Sequence, residues 1–196
     1  MREKFRQQLE EMYHQMVVMG GLCQQAIAVA VKTLEEEEDT AENLEAQVFA
    51  LDGEIDDMER EIEGMCTKLL LRQQPVAKDL RRITAALKMV TDLQRIGDQC
   101  ANIAEISLLL QQQKQDRTLL DIRTMSQKAS VMVKRSIFAY VNRDDEAARA
   151  VIALDDEIDE FFRTIKGELV ELIVENREAP DQAIDLIIIA KYLERI

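Results

Sequence analysis

Apolar side chains recur along this chain at alternating spacings of four and three. Phe5, Leu9, Met12, Met16, Met19, Cys23, Ala26 and Ala30 form one such series, the seam of a helix packed against neighbours. It predicts a first helix running to Leu34, on the order of 45 Å long at 1.5 Å per residue. Leu51, Ile55, Met58, Ile62, Met65 and Leu69 repeat the pattern in a second helix. The acidic run between them, Glu35 to Asp39, reads as a frayed end and solvated turn, because a helix C-terminus prefers cations. Asp39 and Glu42 then have the spacing of a capping box that opens the second helix. Pro75 ends that segment and reads as the first residue of a third helix extending to about Leu110. The polar stretch Gln111 to Asp116 reads as a linker, followed by helices starting near Thr118, Asp144 and Pro180.

The second half of this pattern copies the first. "ALDGEIDDMEREI" (Ala50 to Ile62) and "ALDDEIDEFFRTI" (Ala153 to Ile165) agree at 8 of 13 positions. "LQRI" at Leu93 to Ile96 returns as "LERI" at Leu193 to Ile196. A shared seam would preserve only apolar residues, whereas Asp52 and Asp56 are repeated as Asp155 and Asp159, which indicates duplication of a helical unit. The expected fold is all-α, two tandem three-helix bundles over residues 1–113 and 114–196. The second copy reaches Ile196 where the first continues "GDQCANIAE", so the last helix is expected to be truncated.

Composition agrees with this architecture and narrows the function. Six glycines, two prolines and no tryptophan in 196 residues, 47% of them hydrophobic and 32% charged, describe a chain that folds into long helices around a core. A formal charge of −13 argues against nucleic-acid binding, which needs basic surfaces, and favours cations or a basic protein as partners. The N-terminal "MREKFRQQLEEMY" lacks the apolar core of a signal peptide, and the longest apolar run, "LIIIA", is far short of a membrane span. A soluble, cytoplasmic chain is expected. Cys23, Cys66 and Cys100 are widely spaced without a CxxC and read as core thiols. No nucleophile elbow, phosphate-cradling loop or dinucleotide fingerprint occurs, so no enzymatic activity is expected. His14, the only histidine, forms one isolated Glu-x-x-His with Glu11, where a di-iron bundle needs two such motifs and two further Glu residues. It reads as exposed. Gly20 and Gly21 each weaken the first helix by about 1 kcal/mol relative to Ala, and permit either a close helix contact or a kink.

Candidate chemistry lies in "DLQRIGDQCANIAE", Asp92 to Glu105. At about 100° per residue, Gln94, Asp98, Asn102 and Glu105 share one stripe, opposite Leu93, Ile96, Cys100 and Ile103. Asp52 and Asp56 are a turn apart on the second helix, and a facing helix carrying Asp98, Asn102 and Glu105 would complete an oxygen-rich site. Carboxylates without His or Cys suit hard cations, Mg²⁺, Mn²⁺ or Ca²⁺, and ferric iron is chemically reasonable. The competing reading is an exposed face of solvated acids. Arg72, Lys78, Arg81, Arg82 and Lys88 concentrate positive charge near the start of the third helix. They read as salt-bridge partners, a docking surface, or an anion site helped by the helix N-terminus. Arg81 and Arg82 cannot both point the same way.

"RQQPVAKDLRRITAALKMVTDLQRIGDQCANIAE" (Arg72 to Glu105), with "KYLERI" closing the second half, resembles the PhoU family of phosphate-uptake regulators over nearly the whole chain. The resemblance implies a cytoplasmic regulator, commonly a homodimer. It would act with the ATPase of the phosphate ABC importer and a sensor histidine kinase to restrain phosphate uptake and the phosphate-starvation response, reaching the membrane only through those partners. The family's metal motif maps to Asp52, Asp56 and Asp98 in the first repeat and to Asp155, Asp159 and Glu194 in the second. Multivalent Fe³⁺, Mn²⁺ or Mg²⁺ are the implied ions. Gln94 stands where the motif is usually acidic, and the Asp expected four residues after Glu194 falls beyond Ile196. Arg81, Arg82 and Arg95 are candidate docking residues. Two other functions compete: a carboxylate-bridged metal-binding or iron-storage protein, and a purely structural bundle.

Overall fold

The computed structural model describes residues 2–110, 116–175 and 180–196, and among them contains six α-helices and no strand. They are α1 (Arg2–Thr33), α2 (Glu38–Gln73), α3 (Lys78–Leu109), α4 (Asp116–Asn142), α5 (Asp145–Glu175) and α6 (Pro180–Arg195). α1, α2 and α3 pack on one another as one bundle, and α4, α5 and α6 as another. Contacts of α1 with α4 and of α3 with α6 join the two.

The seams become the core. Met12, Met16, Met19 and Cys23 of α1 are fully buried against Ile55 and Ile62 of α2 and Ile83, Val90 and Ile103 of α3, in a cluster that continues into the second bundle through Met125 and Ile165. Each large side chain buried in this way contributes on the order of 1.5–3 kcal/mol. By length and composition the stretch Glu3–Thr33 could cross a membrane, but half of its most apolar window is buried among the other helices. Its apolarity thus builds the core, spread over a whole helix rather than gathered in one run.

Gly20 answers the question of contact or kink. A Cβ there would lie 2.0 Å from Cδ1 of Ile137 on α4, whereas one at Gly21 would meet nothing within 4 Å. Gly20 lets α1 and α4 approach closely. Gln24 adds a polar link across the same interface, its Nε2 donating to the carbonyl (3.2 Å) and hydroxyl (3.3 Å) oxygens of Ser130.

Two local expectations are corrected, and a third holds for most of its length. Glu35, Glu36 and Glu37 lie in the turn that follows α1, which ends at Thr33, while Glu38 and Asp39 fall in the first turn of α2, where the helix dipole favours negative charge. The N-cap is accordingly Glu37, without a side-chain hydrogen bond, so Asp39 and Glu42 form no capping box. Pro75 closes α2 but does not open α3, which starts at Lys78 after a turn with positive φ at Gln74 (44°) and Ala77 (47°). Helix α5 is capped by Asp144, whose Oδ1 accepts the Ala147 N–H at 2.9 Å. Most of the Gln111–Asp116 linker lies outside the described residues; Asp116 itself opens α4.

Candidate functional site

Helices α2 and α3 bring the first acidic pair to the predicted stripe, and Gln94 binds it together. Its Nε2 donates to Oδ1 of Asp56 (3.0 Å) and to Oδ1 of Asp98 (3.1 Å). An amide nitrogen carries two hydrogens, so one neutral group ties a carboxylate on α2 to a carboxylate on α3.

Asp52 lies one turn before Asp56 and is half-buried, with Oδ1 enclosed and without a hydrogen-bond partner. Burial raises its carboxyl above the ordinary range, and the charges of Asp98 and Asp56 raise it further. Room for this oxygen depends on Gly97: a Cβ there would stand 2.4 Å from Asp52 Oδ1. Glu59 is a further member that the stripe analysis missed. Desolvation raises its carboxyl, followed by the charges of Glu63 and Asp56, while Arg60 opposes and Asp98 adds. Its position three residues after Asp56 and seven after Asp52 was the available signal.

Asn102 and Glu105 do not join the cluster. The Asn102 amide donates to the backbone carbonyl of Asp98 at 2.7 Å, within its own helix, and Glu105 is exposed about two turns further along α3. In the second repeat, Asp155 and Glu194 line one small cavity of about 170 Å³ with Ile158 and Met132, and Asp159 is not part of its lining. Glu194 accepts from Lys191 Nζ at 2.5 Å, and that ammonium also stands 5.1 Å from the centre of the Phe162 ring, a cation–π distance.

Among the described residues, no group of three or more His, Cys, Asp or Glu is arranged to hold a metal ion. The geometry supplies the reason. The N–H groups of Gln94 occupy the space between Asp56 and Asp98 that a cation would need, and Lys191 already neutralises Glu194. Of the expected oxygen-rich site, Asp52, Asp56 and Asp98 are brought together, and Asn102 and Glu105 are not.

The candidate docking arginines divide. Arg81 is exposed, whereas Arg82 is half-buried and paired through Nη1 with Asp79 Oδ1 at 2.9 Å, so adjacent arginines do point different ways. Arg95, about 20 Å further along the helix, pairs loosely with Asp92 at 3.7 Å and belongs to a different part of the surface. Cys23, Cys66 and Cys100 are all free and buried. Burial pushes the Cys23 thiol up to about 12 and the Cys66 thiol up to about 11, which keeps both protonated and unreactive. His14 is exposed, as its place off the seam predicts.

A family model described as the PhoU domain matches residues 16–107 and again residues 122–196. A protein of Clostridium acetobutylicum named phosphate-specific transport system accessory protein PhoU homolog is 35% identical over 100% of this chain and 88% of its own length. A protein of Aquifex aeolicus with the same name is 33% identical over 98% of this chain and 86% of its own length. The crystal structure of PhoU from Pseudomonas aeruginosa superposes with a TM-score of 0.89 at 31% identity, covering 97% of this chain and 90% of that one. A structure from Streptococcus pneumoniae, at 22% identity and a TM-score of 0.87, shares the fold. With the same domain matched in each half and relatives aligned over essentially its whole length, the chain belongs to the PhoU family.

Proposed function

We propose that this protein is a non-enzymatic, cytoplasmic negative regulator of phosphate uptake and of the phosphate-starvation response. It acts as a homodimer, through contacts with the ATPase of the phosphate ABC importer and with a sensor histidine kinase. The observation that carries this reading is the PhoU-domain match in both halves, with relatives named as accessory proteins of phosphate-specific transport. The chemistry of the chain supports it: its three thiols are buried and kept protonated, and Gln94, Asp56 and Asp98 of its polar motifs bind one another on a helical surface. A rigid bundle with distinctive polar faces suits recognition by proteins.

The test is a phosphatase reporter in phosphate-rich medium, in cells lacking the gene and in cells complemented with it. High output in the deletion that complementation suppresses is expected. Output that stays low in the deletion, and in a further deletion of any paralogue, contradicts the reading.

A cation has a place in this proposal as a competitor of the Gln94 amide. Asp52 favours it, because its enclosed Oδ1 lacks any donor. A hard cation at Asp52, Asp56 and Asp98 requires the amide to turn and present its oxygen. Mn²⁺ titration of the purified chain is then expected to show binding that an Asp56→Asn, Asp98→Asn double variant loses; equal affinity in both proteins removes the cation from the account.

A further inference from the structure

Three arginines converge at the seam between the two bundles. A cleft of about 640 Å³ is lined there by Arg6 from α1, Arg82 from the first turns of α3, and Arg143 from the α4–α5 turn. Phe5 and Leu9 form an apolar wall, and Glu3 and Asp79 are the two acids in the lining. Three guanidinium groups from three separate elements face two carboxylates in the lining, and Glu10, which stands outside it, approaches Arg6.

The acids do not exhaust these donors. Arg82 uses Nη1 on Asp79 at 2.9 Å, and among the described residues Arg6 approaches only Glu10, through Nε at 3.7 Å. Arg143 has no ion pair among the described residues. A guanidinium carries five N–H donors, so each arginine keeps most of its fork.

One residue holds two of the three arginines in place. The Tyr140 hydroxyl donates to the Arg82 carbonyl at 2.7 Å, fixing α4 to the start of α3. The Tyr140 carbonyl accepts the backbone N–H of Arg143 at 3.2 Å, in a turn that gives Arg143 a φ of 58°. Tyr140 in turn packs edge-on against Tyr13 of α1, ring centres 5.5 Å apart. The cleft is thus tied across both bundles rather than formed by long side chains on one helix.

We propose that this cleft binds a phosphoryl-bearing anion. A carboxylate offers two oxygens, which a single arginine fork satisfies, whereas a phosphoryl group offers three or more at tetrahedral angles and draws on several forks. The cleft exceeds one tetrahedral ion, and its Phe5–Leu9 wall suits the organic part of a phosphorylated small molecule. Free phosphate and an organic phosphate share the recognising chemistry, and the experiment separates them. The inference does not rest on the regulatory role, because binding is measured on the isolated chain.

Calorimetric titration of the full chain with inorganic phosphate, pyrophosphate and adenosine monophosphate, at constant ionic strength with chloride as control, is the test. Arg143→Asn removes the charge and keeps a residue that tolerates positive φ; circular dichroism checks that helicity is retained. Saturable binding of at least one phosphorylated probe, weakened on the order of tenfold in Arg143→Asn and further in Arg6→Gln, Arg143→Asn, is expected. Tighter binding of adenosine monophosphate than of phosphate, lost in Phe5→Ala, identifies an organic phosphate; equal or tighter binding of phosphate, unaffected by Phe5→Ala, identifies the free ion. No saturable binding of any probe, or binding undiminished in the double arginine variant, overturns the proposal.

Discussion

In the first bundle Asp56 and Asp98 share the amide of Gln94, whereas in the second Glu194, the counterpart of Gln94, is paired with the ammonium of Lys191. The two bundles carry the same Asp-x-x-x-Asp pair on their middle helix and relieve its surroundings differently. An ammonium cancels a carboxylate's charge; an amide binds two carboxylates and cancels none. The first bundle therefore keeps Asp52, Asp56, Glu59 and Asp98 crowded, with Arg60 offsetting only part of the charge at Glu59, and two of them, Asp52 and Glu59, have carboxyls raised above the ordinary range. In the second bundle Asp185 is raised as well, by burial and by the charge of Asp181, away from the repeated Asp pair.

The largest effect is expected from Gln94→Glu. It removes two hydrogen bonds and adds a further carboxylate to the cluster, so destabilisation of about 1–3 kcal/mol is expected in denaturant unfolding without divalent ions, with partial recovery on adding Mn²⁺. Glu194→Gln, the mirror change in the second bundle, is expected to cost less than about 1 kcal/mol. Equal losses in the two variants would break the comparison.

Gly97→Ala comes next. Its Cβ is forced against Asp52 Oδ1, 2.4 Å away, which is expected to cost about 1 kcal/mol, at the lower end for overpacking because a carboxylate can rotate. The same change made in an Asp52→Ala background is expected to cost measurably less, and an unchanged cost would place the strain elsewhere.

Acidification sharpens the contrast with a defined sign. Asp52 and Glu59 hold a proton more tightly folded than unfolded, so their charges oppose folding near neutral pH. That opposition is relieved as pH falls towards and through their raised folded values, and this part of the stability rises. Denaturation midpoints followed from neutral pH down towards the ordinary carboxylate range are expected to respond less in Asp52→Asn than in the parent. The smallest effect is expected from Lys191→Met: a loss below about 1 kcal/mol, because the pair it breaks is partly exposed.

The helices and their bundling were legible because a seam of Met, Ile, Leu and Ala at spacings of three and four leaves a helix one way to bury itself. The acidic pair was legible because duplication preserved Asp52/Asp56 as Asp155/Asp159 where packing alone would not. What escaped the sequence depends on rotamers and on neighbours distant in the chain. Periodicity placed Gln94 and Asn102 on one stripe, yet one amide reaches across to α2 while the other turns back to its own helix. Gly97 matters only because Asp52, 45 residues earlier, inserts beside it. The acidic run after α1 marked the turn, but not that its last two carboxylates, Glu38 and Asp39, already stand in the first turn of α2, where a helix N-terminus favours them. Arg143 joins Arg6 and Arg82 only once the α4–α5 turn is brought to the ends of α1 and α3.

The claim that this protein works by contact with other proteins is tested most directly by titrating the purified chain against the purified ATPase subunit of the phosphate importer. Saturable binding, without any turnover by the chain itself, is the predicted result. No binding by a chain that still suppresses the phosphatase reporter would contradict the account, because regulation would then have to travel by a route other than contact with the transporter.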